Sequence, residues 1–185
     1  TVTGVEIAPA MLAQAEAKRT ALPAELAARI TYRRGDMTSL ALGGRFDAVI
    51  CPFFGLAHLP AGAAWRNTFK GVAKHLAPGG LAAFHLPLAE RMQGPAAPPE
   101  LPVALHALAD GRTLTLHVAE KTFRADIGRF SLALDYVTGT ERRREQLTYY
   151  LADPVPLAEA SGLTPDRPPI RLGDTGDVFV FRLAR

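Results

Sequence analysis

Cysteine is almost absent from this chain: there is one, Cys51, in 185 residues. A single thiol excludes an intramolecular disulfide and any metal centre built from four cysteines. It suits a reducing, cytoplasmic setting. Long apolar runs are missing as well. No stretch of eighteen uninterrupted apolar residues occurs, so no membrane-spanning helix and no membrane partner are expected. Glu6, inside the first apolar stretch, is wrong for a secretory signal. Charge is not skewed to one sign either. Lys and Arg total 21 against 18 Asp and Glu, a formal net charge of +3, and the isoelectric point near 9.3 reflects the dominance of arginine. The densest basic run, Arg142-Arg143-Arg144, is flanked by Glu141 and Glu145 and reads as a solvated strand end or turn rather than a phosphate-binding patch. Nucleic acid is therefore not an expected partner. Internal repeats and low-complexity tracts are also lacking.

What is present is ordinary globular material, 48% apolar and 21% charged, enough for one domain with a sizeable core. Val2 to Ile7 reads as a β-branched strand, followed by Pro9 where a helix can begin. Ala10 to Arg19 has no helix breaker, and Pro23 to Arg29 reads as a further helical stretch or turn. Ile30 to Arg34 is a second strand closed by Gly35-Asp36, and Phe46 to Cys51 a third, stopped by Pro52. Ala63 to Leu76 places Trp65, Phe69, Val72, Ala73 and Leu76 at spacings near three and four, an amphipathic helix. Pro78-Gly79-Gly80 ends it, and Leu81 to Leu86 makes a fourth strand. Strands alternating with helices predict an α/β fold with a mainly parallel, Rossmann-like sheet. Gly94 to Pro102, rich in proline, reads as an irregular connection. From about residue 110 to 151 the pattern becomes period-two, through Leu114, Leu116 and Val118, then Phe130, Leu132, Leu134 and Tyr136, then Leu147, Tyr149 and Leu151. With Gly111, Gly128 and Gly139 as punctuation, this predicts an inserted antiparallel β-meander. Pro154 to Ser161 suits a short helix ended by Gly162. Asp177 to Leu183 is a last, apolar strand, antiparallel at the end of the sheet.

Four segments in order carry a resemblance: Val5-Glu6-Ile7-Ala8-Pro9-Ala10-Met11-Leu12, Gly35-Asp36-Met37, Phe46-Asp47-Ala48-Val49-Ile50-Cys51 and Leu76-Ala77-Pro78-Gly79-Gly80-Leu81. Together they resemble the small-molecule branch of the class I S-adenosylmethionine-dependent methyltransferases, closely over residues 1 to about 88 and in outline beyond. The resemblance implies one methyltransferase-like domain over residues 1–185, S-adenosylmethionine as cofactor, and methyl transfer to an oxygen or nitrogen of a small molecule. It implies cofactor contacts at Glu6, Ile7, Met11, Asp36, Met37, Cys51, Pro52 and Phe53. Ligands of such sheets lie beyond the carboxyl ends of the strands, where Glu6 could accept the ribose hydroxyl hydrogens and Asp36 the adenine amino group, with Met37 on the ring. Both acids have plainer readings: Glu6 as a charge favouring the next helix N-terminus, and Asp36 as a turn cap.

Cys51-Pro52-Phe53-Phe54 is not the Asn/Asp-Pro-Pro-Tyr loop of relatives that hold a base or amide, which argues against DNA-base or glutamine acceptors. Cys51 reads as a small inert hydrophobe. His85, at the end of the fourth strand, and His58 are the imidazoles nearest the expected mouth, able to take a proton near neutral pH. Tyr149 and Tyr136 in the meander are candidates for substrate contact, with Asp135 and Tyr150 beside them. The insertion would cover the cleft or form a homodimer contact.

One expected element is missing. The family's glycine-rich turn after the central strand has no counterpart, since Gly43-Gly44 and Gly79-Gly80 lie between other elements. By resemblance that strand sits between those beginning at Thr1 and Phe46, and leaving it out would strand backbone groups at on the order of 1–3 kcal/mol each. A preceding segment carrying it is therefore expected, because the chain opens inside a strand. Two other readings stand beside methyl transfer: a nicotinamide-dependent Rossmann oxidoreductase, whose ribose is also held by a strand-end acid, and a non-catalytic binding module of the same fold.

Overall fold

Apolar strand segments broken by Gly and Pro pair in the order that their periodicity predicts, in a computed structural model that describes residues 1–184. β1 (Val2–Glu6) leads into α1 (Pro9–Thr20), which starts with proline in its first turn and ends with Lys18 and Arg19, cations that suit the carboxyl end of a helix. The single-turn α2 (Ala24–Ala27) precedes β2 (Ile30–Arg34), and β2 lies parallel to β1 from Val2↔Ile30 to Glu6↔Arg34. After a 3₁₀ turn at Met37–Ser39 comes β3 (Phe46–Cys51), then a second 3₁₀ turn at Gly55–His58 and α3 (Ala63–His75). The next strand, β4 (Leu76–Pro87), runs parallel to β3.

β4 begins directly at Leu76, five residues earlier than Leu81. The reason is an irregular ladder: Phe46 opposes Leu76 but Ala48 opposes Leu81, so Ala77 to Gly80 are looped out inside the strand. Gly79 takes φ 80°, a left-handed conformation that suits glycine, at the tip of this excursion.

A short helix, α4 (Ala89–Gln93), follows, and then the insertion. It is a four-stranded antiparallel sheet, β5 (Ala104–Ala107), β6 (Thr113–Arg124), β7 (Arg129–Thr138) and β8 (Glu141–Tyr150), in that spatial order. The three predicted meander strands are present; β5 is an addition that the proline-rich stretch before it concealed. α5 (Val155–Glu159) then leads through β9 (Leu163–Pro165) and β10 (Ile170–Leu172), two three-residue strands too short for a period to be read, into β11 (Gly176–Leu183). β11 is antiparallel to β4, giving the order β10-β11-β4-β3 with β9 also on β11.

The core lies between this sheet and α3. Trp65, Phe69, Val72 and Leu76 face Ala82, Phe84, Leu86 and Phe181, and all are buried. Phe69, Phe84 and Phe181 pack edge-on or tilted at centroid distances of 5.0, 5.8 and 6.1 Å, the geometry aromatic quadrupoles prefer. Two polar residues share this face and are satisfied within it. Thr68 Oγ1 donates to Ala64 O at 3.0 Å, and His75 Nδ1 lies 2.7 Å from Gly71 O while its Nε2 accepts from Leu42 N–H at 2.9 Å. No helix among the described residues is long and apolar enough to cross a membrane.

Among the described residues β1 and β3 each keep one edge without a strand partner: β1 pairs with β2 alone and β3 with β4 alone. Val2 and Ile50 on these strands are exposed, Ile50 by 72%.

Because Phe69 touches both other rings of the triad, Phe69→Ala is expected to lower stability by about 3–5 kcal/mol. The shift is readable as a fall in the urea midpoint at unchanged slope.

Candidate active site

Parallel pairing puts the carboxyl ends of β1 and β2 side by side, and with them the two strand-end acids. Gly35 N–H donates to Glu6 O at 3.1 Å, closing the ladder. Glu6, half-buried, accepts Ala8 N–H on Oε1 at 2.8 Å. Ala8 precedes α1 and has no capping side chain of its own, so this carboxylate supports the helix start. Asp36 accepts both Thr38 N–H and Thr38 Oγ1–H on Oδ1, each at 2.8 Å. The backbone bond foremost, then the hydroxyl, hold its carboxyl below the usual range. Each acid thus performs its local role with one oxygen and leaves the other for a ligand donor. Ile7 and Met11 are exposed on the same rim.

Met37 links this end to the tip of β3. A methyl group added at Gly55 would sit 3.0 Å from Cys51 Sγ and 4.0 Å from Met37 Cε, so these three residues converge. Burial pushes the Cys51 thiol up, outweighing the hydrogen bond from Leu56 N–H that lowers it. This matches the inert reading of the cysteine.

After Pro52 the backbone does something the residue types do not announce. Phe53 and Phe54 take φ 51° and 62°, the two non-glycine residues with positive φ among those described. Left-handed backbone at a bulky residue costs on the order of 1–3 kcal/mol and gathers at functional sites. The turn sends the two rings opposite ways. Phe53 is 84% exposed. Phe54 faces inward, with its ring 4.5 Å from His85 and edge-on to Tyr149 at 5.8 Å.

Around Phe54 the predicted residues assemble. His58, from the 3₁₀ turn after Phe54, lies 4.7 Å ring to ring from Tyr149, and its Nδ1 is 3.2 Å from Thr148 O, a bond that requires the Nδ1–H tautomer. Tyr149 stacks on Phe130 at 6.4 Å. Burial, helped by the nearby Tyr136 phenol, raises the Tyr149 hydroxyl above its ordinary value. His85 projects from β4, and its Nε2 is buried with no hydrogen-bond partner among the described residues. Buried polar atoms left unpaired are few in folded proteins and call for a reason. The structure therefore brings His58, His85 and Tyr149 together; Tyr136, half-buried on β7, stands outside the ring cluster.

Asp135 is not available to a substrate. It is 3% exposed and clasped by Arg144 through Nε at 2.8 Å and Nη2 at 2.9 Å, with Arg142 at 3.8 Å. Arg144 opposes it directly across β7 and β8, on the sheet face opposite Phe130, Leu132, Leu134 and Tyr136. The arginine bond, set against the cost of desolvation, holds its carboxyl below the usual range. Sequence reasoning also passed over Phe54 as the hub. The available signal was a pair of aromatics between Pro52 and Gly55, a turn setting that makes one ring turn inward.

Comparison with known proteins adds to this geometry. Residues 1–80 match the family described as methyltransferase domain. No curated protein matches the chain by sequence. Solved structures do match it in shape. The CcbJ methyltransferase from Streptomyces caelestis aligns with 100% of this chain and 75% of its own, at 18% identity and a TM-score of 0.80. CalS10, an amino pentose methyltransferase from Micromonospora echinaspora solved with S-adenosylmethionine bound, covers 97% and 72%, at 24% identity and 0.70. The sugar N-methyltransferase KedS8 from Streptoalloteichus covers 99% and 71%, at 24% identity and 0.63.

The raised Cys51 thiol gives a direct check. At pH 8 its reaction with an aromatic disulfide reagent should be slower than in urea-unfolded protein, since an upward shift removes thiolate and burial removes access. Equal rates in both states would place the thiol in solvent.

Proposed function

We infer function from a chain that has the class I S-adenosylmethionine-dependent methyltransferase fold and whose first 80 residues match the methyltransferase domain family. The reaction is methyl transfer from S-adenosylmethionine to a small molecule. The observation that carries this reading is the row of strand ends. Glu6 and Asp36 offer one free carboxylate oxygen each, beside a strained Phe53–Phe54 turn and a histidine whose buried nitrogen lacks a partner.

The residues present fit the nucleoside half of the cofactor. The free oxygens of Glu6 and Asp36 suit ribose hydroxyl and adenine amino donors, Ile7, Met11 and Met37 supply apolar contact, and Cys51, Pro52 and Phe53 form the facing wall. Bound there, S-adenosylmethionine supplies a methyl group on a cationic sulfur, already activated toward nucleophiles. The protein's remaining task is to align the acceptor and to manage one proton. We take the acceptor to be a nitrogen on a small, sugar-like molecule, a reading supported by the amino pentose and sugar N-methyltransferases that share the fold. An amine is largely protonated at neutral pH and must lose that proton before its lone pair can attack. His85 is the group placed to accept it, with His58 as the second imidazole, and Tyr149 and Tyr136 line the acceptor side. The enzyme works in the cytoplasm, and two copies meet through the insertion sheet, a contact that light scattering on the purified protein would reveal as a doubled mass.

The cofactor's methionine half calls for more chain. The bare edges of β1 and β3 support a further strand with a glycine-rich turn between them, contributed by a segment outside residues 1–185. Calorimetry with S-adenosylhomocysteine tests both points. The complete open reading frame should bind it, and Glu6→Gln should weaken binding by about tenfold, the loss of one hydrogen bond to a charged acceptor. Residues 1–185 alone should bind at least about tenfold more weakly. No binding at millimolar ligand by the complete frame would leave a non-catalytic module of this fold.

A further inference from the structure

The buried, unpartnered nitrogen of His85 rests on a position that the function has not used. Gly176 opens β11 and is buried, although a glycine there is not required by its backbone angle. Its reason is space. Any Cβ at Gly176 would overlap His85 Nε2 and come within 2.7 Å of both His85 Cδ2 and Phe54 Cε1. Real side-chain carbons do not approach other atoms so closely, so the hydrogen of Gly176 is what lets the imidazole edge lie against β11. The direct strand partner of His85 is Val178, two residues further along, so His85 and Gly176 share one face of the ladder. Phe54 lies beside the imidazole, ring to ring at 4.5 Å and tilted by 50°, with its own edge bordering the same space at Gly176. Three elements thus grip one imidazole: the backbone of β11 beneath, the Phe54 ring from the left-handed turn beside it, and β4 that bears it.

We propose that Gly176 is a positioning residue for His85, fixing the imidazole against β11 with Nε2 withdrawn from solvent. The inference rests on the reading of His85 as the group that takes the acceptor's proton, and it extends that reading to a residue touching neither cofactor nor acceptor. An alanine methyl would push the ring out of its cradle toward water. Displaced in this way, the ring loses the Phe54 contact it makes at 4.5 Å.

The test uses Gly176→Ala in the complete protein, followed by proton NMR of the histidine Cε1–H signals at one fixed pH. The His85 signal, displaced by the ring current of Phe54 at 4.5 Å, should move toward the position of a solvent-exposed histidine, while the His106 and His117 signals on the insertion stay in place. An unmoved His85 signal would overturn the proposal. Turnover with an amino pentose acceptor should fall by about ten- to a hundredfold, with KM for S-adenosylmethionine within about twofold. In a His85→Asn background the same glycine change should cost less than about twofold, because the residue it positions is gone. Full additivity would overturn the proposal. If His85→Asn leaves turnover intact, the proton-acceptor role fails, and the NMR signal of His85 in Gly176→Ala still decides the positioning. Should Gly176→Ala fail to fold, the Gly176→Ala/His85→Ala pair should recover at least half of the lost melting temperature. No recovery would place the clash elsewhere and sink the idea.

Discussion

Phe54, packed against His85 on β4 and Tyr149 on β8, sits where the parallel strand ends meet the antiparallel insertion. The parallel strands end on one side of it and the antiparallel insertion on the other. Holding Phe54 there requires left-handed backbone at two successive phenylalanines, a conformation a free peptide abandons. The surroundings over-determine it: the ring is fixed by His85 and Tyr149, and the turn is tied to β8 through His58 and Thr148. Strain of this kind persists only where packing returns more than it takes. The loop of Pro52 to Phe54 is therefore shaped by the insertion, and loosening the insertion would relax its strained turn.

Most of the fold was legible because each element obeys one period and ends on a recognised breaker. β2 and β3 coincide with the predicted segments, and α3 shows its apolar stripe at spacings of three and four. What escaped reading has a physical explanation in each case. β9 and β10 are three residues long, below the length at which alternation means anything. The early start of β4 depends on a ladder that skips residues, a long-range fact with no local trace. The site was partly legible: acids at strand ends and histidines near the mouth are chemistry that residue type can suggest. Which face Asp135 would take was not, since alternation gives two faces without naming them. Arg144, lying across from it, chose the face by pairing with it.

The two strand-end acids illustrate how one residue can serve the local structure and still keep a carboxylate oxygen free. Glu6 steadies the start of α1 and Asp36 the turn at Met37, each with a single oxygen. The plainer readings of both residues are therefore true, and neither uses up the second carboxylate oxygen. By fixing the carboxylates through their own backbones, these bonds remove rotamer freedom that a bound nucleoside would otherwise have to freeze.

The insertion's outer strand has one more consequence. From Glu141 to Gln146 every residue of β8 is exposed, and all but the last carry charge, whereas Leu147 to Tyr150 are partly covered. An open sheet margin is a template on which strands of other molecules can add, and charged side chains deter such recruitment. Here deterrence is confined to the half that stands in water, and the apolar half is shielded by the loop at His58. The sheet can stay open on that side without seeding aggregates, and any change that frees the loop would unveil the sticky half at the same moment.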